Sequence, residues 1–145
     1  LKDTVDEMRE AGHKIGVLGI TSFRPFPLVA VAAALKNSKR FVVLEKSLAV
    51  GIGGIVATNV RMAVTGMGLK GYTVIAGLGG RAITRRSLHQ VFSQAVEGRL
   101  EPVTFLDLDH AVVERVLARE REQRRSGPIA EGILRDLGVA GARVS

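Results

Sequence analysis

Three cations and two glycine turns are the residues of this chain best placed to do chemistry. Arg24, Lys46 and Arg81 each stand just beyond an apolar run of strand type, at residues 14–20, 41–45 and 72–76. The turns Gly51-Ile52-Gly53-Gly54 and Gly77-Leu78-Gly79-Gly80 follow the second and third runs and precede helical patterns. In an open α/β sheet the carboxyl ends of parallel strands share one edge, and ligands bind there. Glycine turns and helix starts present backbone N–H groups that attract anions. Arg24, Lys46, Gly53, Gly54, Gly79, Gly80 and Arg81 therefore form a candidate edge for binding an anion or for docking a carboxylate-rich subunit. A plainer account fits the same residues: tight turns needing positive φ, and solvated cations near helix starts.

Other patterns carry less. Gly66-Met67-Gly68-Leu69-Lys70-Gly71 spells G-x-G-x-x-G, but a helical pattern precedes it and a strand pattern follows. A dinucleotide site needs the reverse, so that a helix N-terminus meets the pyrophosphate. Neither glycine turn matches the phosphate loop G-x-x-x-x-G-K-S/T. His13, His89 and His110 are far apart and lack metal-ligand spacing. Ser47 follows a strand, but LEKSLAV is not a nucleophile elbow. Asp107 and Asp109 suit helix capping, and the mixed-sign stretch 119–125 suits a solvated helix face. No catalytic residue is expected, and no metal site.

The elements that must position this edge alternate between helix and strand. Residues 4–11 read as a helix tail that Gly12 terminates. Residues 14–20 read as a strand covered on both faces, because the run is nearly continuous in apolar residues. A helix with the stripe Leu28, Val31, Ala32 and Leu35 follows Pro27. The strand over 41–45 comes next and is expected in the middle of the sheet. A helix over 55–65 buries Val56, Val60, Ala63 and Val64. The strand over 72–76 leads to a helix capped by Thr84, with the stripe Leu88, Val91, Phe92, Ala95 and Val96, and Gly98 ends it. Residues 103–106 read as a short edge strand. Two helices follow, the second holding Ile129, Ile133, Leu134 and Leu137. Strands separated by helices predict a mostly parallel sheet with right-handed crossovers. The expected organisation is an α/β core over 1–101 and a tail of short strand and helices over 102–145, packed on the core or on a partner.

Composition narrows the classes. The chain has 145 residues, 46% of them hydrophobic, and no cysteine. It can build a full core, and it offers neither a disulfide nor a thiolate site for zinc or an iron–sulfur cluster. No apolar run approaches the ~20 residues of a membrane span, and no signal peptide is visible. The net charge of +7 is concentrated in residues 11–99, where twelve Lys or Arg stand against Glu45 and Glu97. Such a body attracts phosphates or acidic surfaces. It lacks the aromatic or helical reader that nucleic acid binding requires.

Four motifs in order carry a family resemblance: GHKIGVL (12–18), RPFP (24–27), VVLEKSLAVGIGG (42–54) and GLGGRAIT (77–84). Over about residues 5–98 the chain resembles the carboxy-terminal domain of the α subunit, or α portion, of pyruvate:ferredoxin oxidoreductase and related 2-oxoacid:ferredoxin oxidoreductases. The resemblance implies a transketolase C-terminal-like fold, a three-layer α/β/α sandwich with a mostly parallel open sheet. It also implies a cytoplasmic, oligomeric enzyme that uses thiamine diphosphate, iron–sulfur clusters and coenzyme A. Such an enzyme decarboxylates a 2-oxoacid oxidatively to acyl-coenzyme A and passes electrons to ferredoxin. This chain would bind none of those cofactors. It would serve as a non-catalytic assembly domain, inactive in isolation and docked on other domains or subunits, with no nucleic acid or membrane partner. The absence of an initiator Met, and a start inside a helical pattern, read as part of a longer polypeptide. Two alternatives stay open: a stand-alone module for an anion or phosphorylated ligand, and the C-terminal domain of a 2-oxoacid dehydrogenase β chain or a transketolase.

Overall fold

The computed structural model describes residues 1–123. The chain divides into two units, Leu1–Leu108 and a second beginning at Asp109. The first unit is built on a three-stranded sheet of β1 (Arg40–Glu45), β4 (Lys70–Ile75) and β5 (Val103–Phe105) in the order β1-β4-β5. Both pairings are parallel, with Arg40 opposite Lys70 at one end of the first and Glu45 opposite Ile75 at the other. A second, two-stranded sheet is a small antiparallel hairpin, β2 (Leu48–Ala49) against β3 (Gly53–Gly54).

Strand alternation sends successive side chains to opposite faces, and each face carries its own helix layer. On one face, Tyr72 and Val74 of β4 pack with Val5 and Met8 of α1 (Lys2–Glu10). Leu88, Val91, Phe92 and Ala95 of α4 (Arg85–Glu97) complete that cluster, and half-buried Val42 and Leu44 of β1 lie against it. On the other face, Phe41 and Val43 of β1 pack with Val31 of α2 (Leu28–Leu35) and with Ala57 and Val60 of α3 (Ile55–Ala63). Three layers result, an α/β/α sandwich with a parallel sheet, as the sequence leads one to expect. Local signals also hold. Thr84 accepts a hydrogen bond from Ser87 N–H at 3.1 Å, and Gly98 ends α4 at φ 76°. Of the α4 stripe, only Val96 is exposed.

Three expectations need correction. Residues 14–20 form no strand. Ile15 packs against the α1–α4 layer and Ile20 against the α2–α3 layer, while Val17 and Leu18 are exposed. An apolar run reports burial on both faces, but a strand also needs a ladder partner. No described strand supplies one. The central strand is therefore β4, and β1 stands at an edge, because β5 pairs on the far side of β4. The crossovers are not uniformly right-handed either. The steps from β1 to β4 and from β4 to β5 run the same way across the sheet, yet α3 covers one face and α4 the other. The two connections thus have opposite hands, against the usual rule.

In the second unit, α5 (His110–Gln123) starts at Asp109, whose carboxylate accepts from Val112 N–H at 3.1 Å. The helix expected over 129–137 lies outside the described residues.

Candidate functional site: the carboxyl edge of the sheet

The carboxyl ends of β1 and β4 lead into the two glycine turns, and the first turn is organised by Glu45. This residue is buried, at 7% exposure. Its carboxylate turns back over the start of α3 and accepts from Val56 N–H at 2.8 Å and from Ala57 N–H at 2.9 Å. Those are the second and third residues of a helix whose N-cap, Gly54, has no side chain to offer. A carboxylate here satisfies two of the orphaned donors and complements the positive end of the helix dipole. Gly54 makes room for it. A Cβ at position 54 would stand 2.2 Å from Oε1 of Glu45 and 2.8 Å from Cγ2 of Thr73. The β2–β3 hairpin brings Gly54 there by pairing Leu48 with Gly54 and Ala49 with Gly53, and Gly53 adopts φ 91°. Its tip faces outward, with Val50 98% and Ile52 69% exposed.

The second turn is left-handed at Gly77, Gly79 and Gly80, with φ of 73°, 62° and 78°. Lys46 folds toward it, its Cε 3.4 Å from where a Cβ on Gly77 would stand. Arg81 follows the turn and donates from Nη1 to the carbonyl of Asp107, tying this loop to the one after β5. Arg24 lies elsewhere. Its Nη1 donates to Phe23 C=O at 2.9 Å and to Asn59 Oδ1 of α3 at 3.3 Å, and its guanidinium sits 4.1 Å from the centre of the Phe23 ring. The fold thus brings Lys46 and the Gly77–Arg81 loop together. Arg24 has its own partners on α3.

Three other cations of the basic body are also used within the fold. Arg40 donates to the carbonyls of Ala95 and Val96, and Lys70 to that of Gly98 at 3.2 Å. Both therefore sit at the negative end of α4. Arg61 of α3 reaches Gly71 C=O at 3.3 Å and Thr73 Oγ1 at 3.2 Å, linking helix to sheet. Arg40 and Glu45, the two ends of β1, thus hold the end of one helix and the start of another. Sequence reading missed the roles of Glu45, Asn59 and Arg61. The available signal was that Glu45 is one of two acids in residues 11–99 and ends a strand pattern that leads, six positions on, into a glycine turn and a helix.

Among the described residues no group of three or more His, Cys, Asp or Glu is disposed to hold a metal ion. No described helix is long and apolar enough to cross a membrane. An open recess on the outer side of α1 and α4 is lined by Glu7, Arg85, Arg86, His89 and Gln90, and the Arg85–Glu7 ion pair at 3.1 Å forms part of its wall.

The fold is thus a three-layer α/β domain whose α3 and α4 are capped by Glu45 and Thr84, with an exposed apolar hairpin at its carboxyl edge. Residues 1–88 match the family described as pyruvate:ferredoxin oxidoreductase core domain II, and the chain belongs to that family. It is similar to the pyruvate synthase subunit PorA of Pyrococcus abyssi, with 36% identity over 115 residues, which cover 74% of this chain and 29% of the relative. The PorA of Methanosarcina barkeri is 35% identical over 117 residues, 74% of this chain and 29% of the relative. The ketoisovalerate oxidoreductase subunit VorA of Pyrococcus horikoshii is 33% identical over 95 residues, 63% of this chain and 24% of the relative. The chain spans less than a third of the length of these relatives.

Proposed function

We propose that this chain is an assembly domain of a thiamine diphosphate-dependent 2-oxoacid:ferredoxin oxidoreductase of the pyruvate type. The whole enzyme oxidatively decarboxylates its 2-oxoacid to an acyl-coenzyme A and passes the electrons to ferredoxin through iron–sulfur clusters. The observation that carries this reading is the family match over residues 1–88, together with relatives named as pyruvate synthase subunits. Iron–sulfur clusters, and a diphosphate at the start of α3, do not fit this chain. It has no cysteine for a cluster, and the α3 N-terminus, where a diphosphate would be met, already holds Glu45. On this reading cofactors, ferredoxin contacts and catalysis belong to other domains or subunits, in a cytoplasmic oligomer.

The role of this chain is docking through its carboxyl edge. Lys46, Arg81 and the Gly53-Gly54 and Gly79-Gly80 turns frame an apolar centre of Leu48, Val50 and Ile52, all exposed. An apolar centre with a cationic rim fits a subunit surface that is apolar and edged by carboxylates.

The test is capture of the native polypeptide from its source, with intact mass, companion identification and a coupled assay. The reading expects companions carrying iron–sulfur clusters and thiamine diphosphate, and coenzyme A-dependent reduction of ferredoxin by pyruvate, faster than by 2-ketoisovalerate. A native chain of this length that purifies without companions would refute it. Saturable, salt-sensitive binding of phosphate or coenzyme A by such a chain, lost in Arg81→Ala, would favour the stand-alone module instead.

A further inference from the structure

The two helix layers of the first unit differ in what they turn outward. The α1–α4 layer exposes charged or polar side chains, among them Asp3, Asp6, Arg85, Arg86, His89 and Gln90. Helix α2 reads LVAVAAAL and holds no polar side chain at all. Of its residues Val31 alone is buried, against β1 and α3. Helical spacing places Val29, Ala33 and Lys36 on one ridge opposite Val31, and Lys36 keeps helical backbone angles. Val29 is 84% exposed, and Ala33 is exposed too. A helix that is apolar all round belongs inside a protein, yet this one has only one side covered.

Neighbouring α3 continues the pattern. Ile55, Thr58 and Met62 share its ridge away from Val60, and all three are exposed. The Thr58 hydroxyl donates to Gly54 C=O at 2.8 Å, so the one polar group of that ridge is bonded at the start of its own helix. The charge around this face has a single sign. Arg24 precedes α2, Lys36 and Lys39 follow it, and Arg61 lies on α3. Among the described residues none of the four is in an ion pair. The two carboxylates of residues 11–99 are Glu45, buried at the start of α3, and Glu97, at the end of α4 in the other layer.

This combination selects among the surfaces that could cover the face. A twofold contact between copies sets a patch against itself, which here would press cations on cations. A lipid surface is gripped by bulky Trp, Phe and Leu side chains, whereas most of the exposed residues of α2 are alanines. An apolar protein surface edged by carboxylates matches both the centre and the rim.

We propose that the outer face of α2 and α3 is a second docking surface, which receives an apolar, carboxylate-edged surface of a companion subunit. Val29, Ala33, Ile55 and Met62 form its centre, and Lys36 meets a carboxylate at its rim. The inference rests on the reading that this chain works in an assembly. It uses neither the hairpin nor the glycine turns of the carboxyl edge.

Carbodiimide coupling of the native assembly tests it, because the reagent joins an amine only to a carboxylate in contact with it. Lys36 is expected to couple to an Asp or Glu of a companion subunit, identified by peptide mass. Val29→Glu with Ala33→Glu should cut that coupling by at least ~10-fold, since unpaired charge would enter the apolar centre. Glu suits an exposed helix position, so the helix itself is kept. Lys36→Arg, which keeps the charge but cannot be coupled, should lose the cross-link and retain the companion. No coupling of Lys36, or coupling unchanged by the two glutamates, would overturn the proposal. So would coupling to a second copy or within the same polypeptide. Pelleting of the assembly with phosphatidylglycerol vesicles, abolished by Val29→Glu, would overturn it in favour of a lipid surface. The hairpin is tested by its own variants and ferredoxin reduction by its own assay, so the carboxyl edge or the enzyme assignment can fail while this face stands.

Discussion

The carboxylate of Glu45 occupies the space that a side chain on Gly54 would fill, with a Cβ there standing 2.2 Å from Oε1. Gly54 has φ −70° and ψ 129°, which any residue can adopt. Its identity is therefore dictated by packing and not by backbone conformation. Gly54→Ala forces either the carboxylate off the two N–H groups of α3 or the hairpin off the sheet. The expected loss is about 2–3 kcal/mol of stability. Urea denaturation reads it as a lower midpoint with an unchanged slope. A midpoint equal to that of the parent chain would show that the contact does not constrain the fold.

Glu45 and Gly54 should also be energetically coupled. Glu45→Ala leaves Val56 N–H and Ala57 N–H without their acceptor and costs about 1–2 kcal/mol, in the range of a lost N-cap. It also empties the space that a methyl group at position 54 needs. The double variant is thus expected to lose about 1 kcal/mol less than the sum of the single losses. A double-mutant cycle in urea measures this directly. Strict additivity would mean that the added methyl clashes with Thr73 alone, whose Cγ2 is the other near neighbour at 2.8 Å.

The parts of this fold that were legible in the sequence are those set by neighbours along the chain. The α4 stripe, the Thr84 cap and the Gly98 stop all follow from helical spacing and local chemistry, and each stands where expected apart from the exposed Val96. The parts that were not legible depend on distant partners. The apolar character of residues 14–20 says that both faces are covered, not which strand lies alongside. That β4 is central follows from β5 joining its far edge, which nothing near β4 encodes. The strand-end cations were found, but their partners were not, because Arg24 meets Asn59 across 35 positions and Arg81 meets Asp107 across 26. The basic excess looked like an invitation to an external anion. Much of it instead serves backbone carbonyls at Gly71, Ala95, Val96, Gly98 and Asp107.

Tyr72 is 1% exposed, and its hydroxyl has no hydrogen-bond partner among the described residues. A buried hydroxyl without a partner opposes folding, because water bonds it in the unfolded chain. Tyr72→Phe is therefore expected to be neutral or to stabilise by up to about 1 kcal/mol, with the ring and its Lys70 contact at 5.4 Å retained. Thr4 Oγ1 is equally buried and has no partner among the described residues, so Thr4→Val should behave the same way. Thermal and urea unfolding of the two variants check this. A loss above about 1 kcal/mol in Tyr72→Phe would reveal a bridging water or another acceptor at the hydroxyl.

The hairpin tip separates a folding role from a docking role. Val50 is 98% exposed and Ile52 69%, so neither contributes much to the core. In the isolated chain, Val50→Glu together with Ile52→Glu should change stability by no more than about 0.5 kcal/mol, as surface substitutions do. In the native assembly the same pair places two carboxylates at the centre of the proposed interface. Unpaired charge buried there costs several kcal/mol, so the companions should fail to co-purify. The comparison is an unfolding curve of the variant chain set beside a pull-down from its source. Unchanged folding with lost companions locates the docking surface at the hairpin, and full retention of companions would move it off the carboxyl edge altogether.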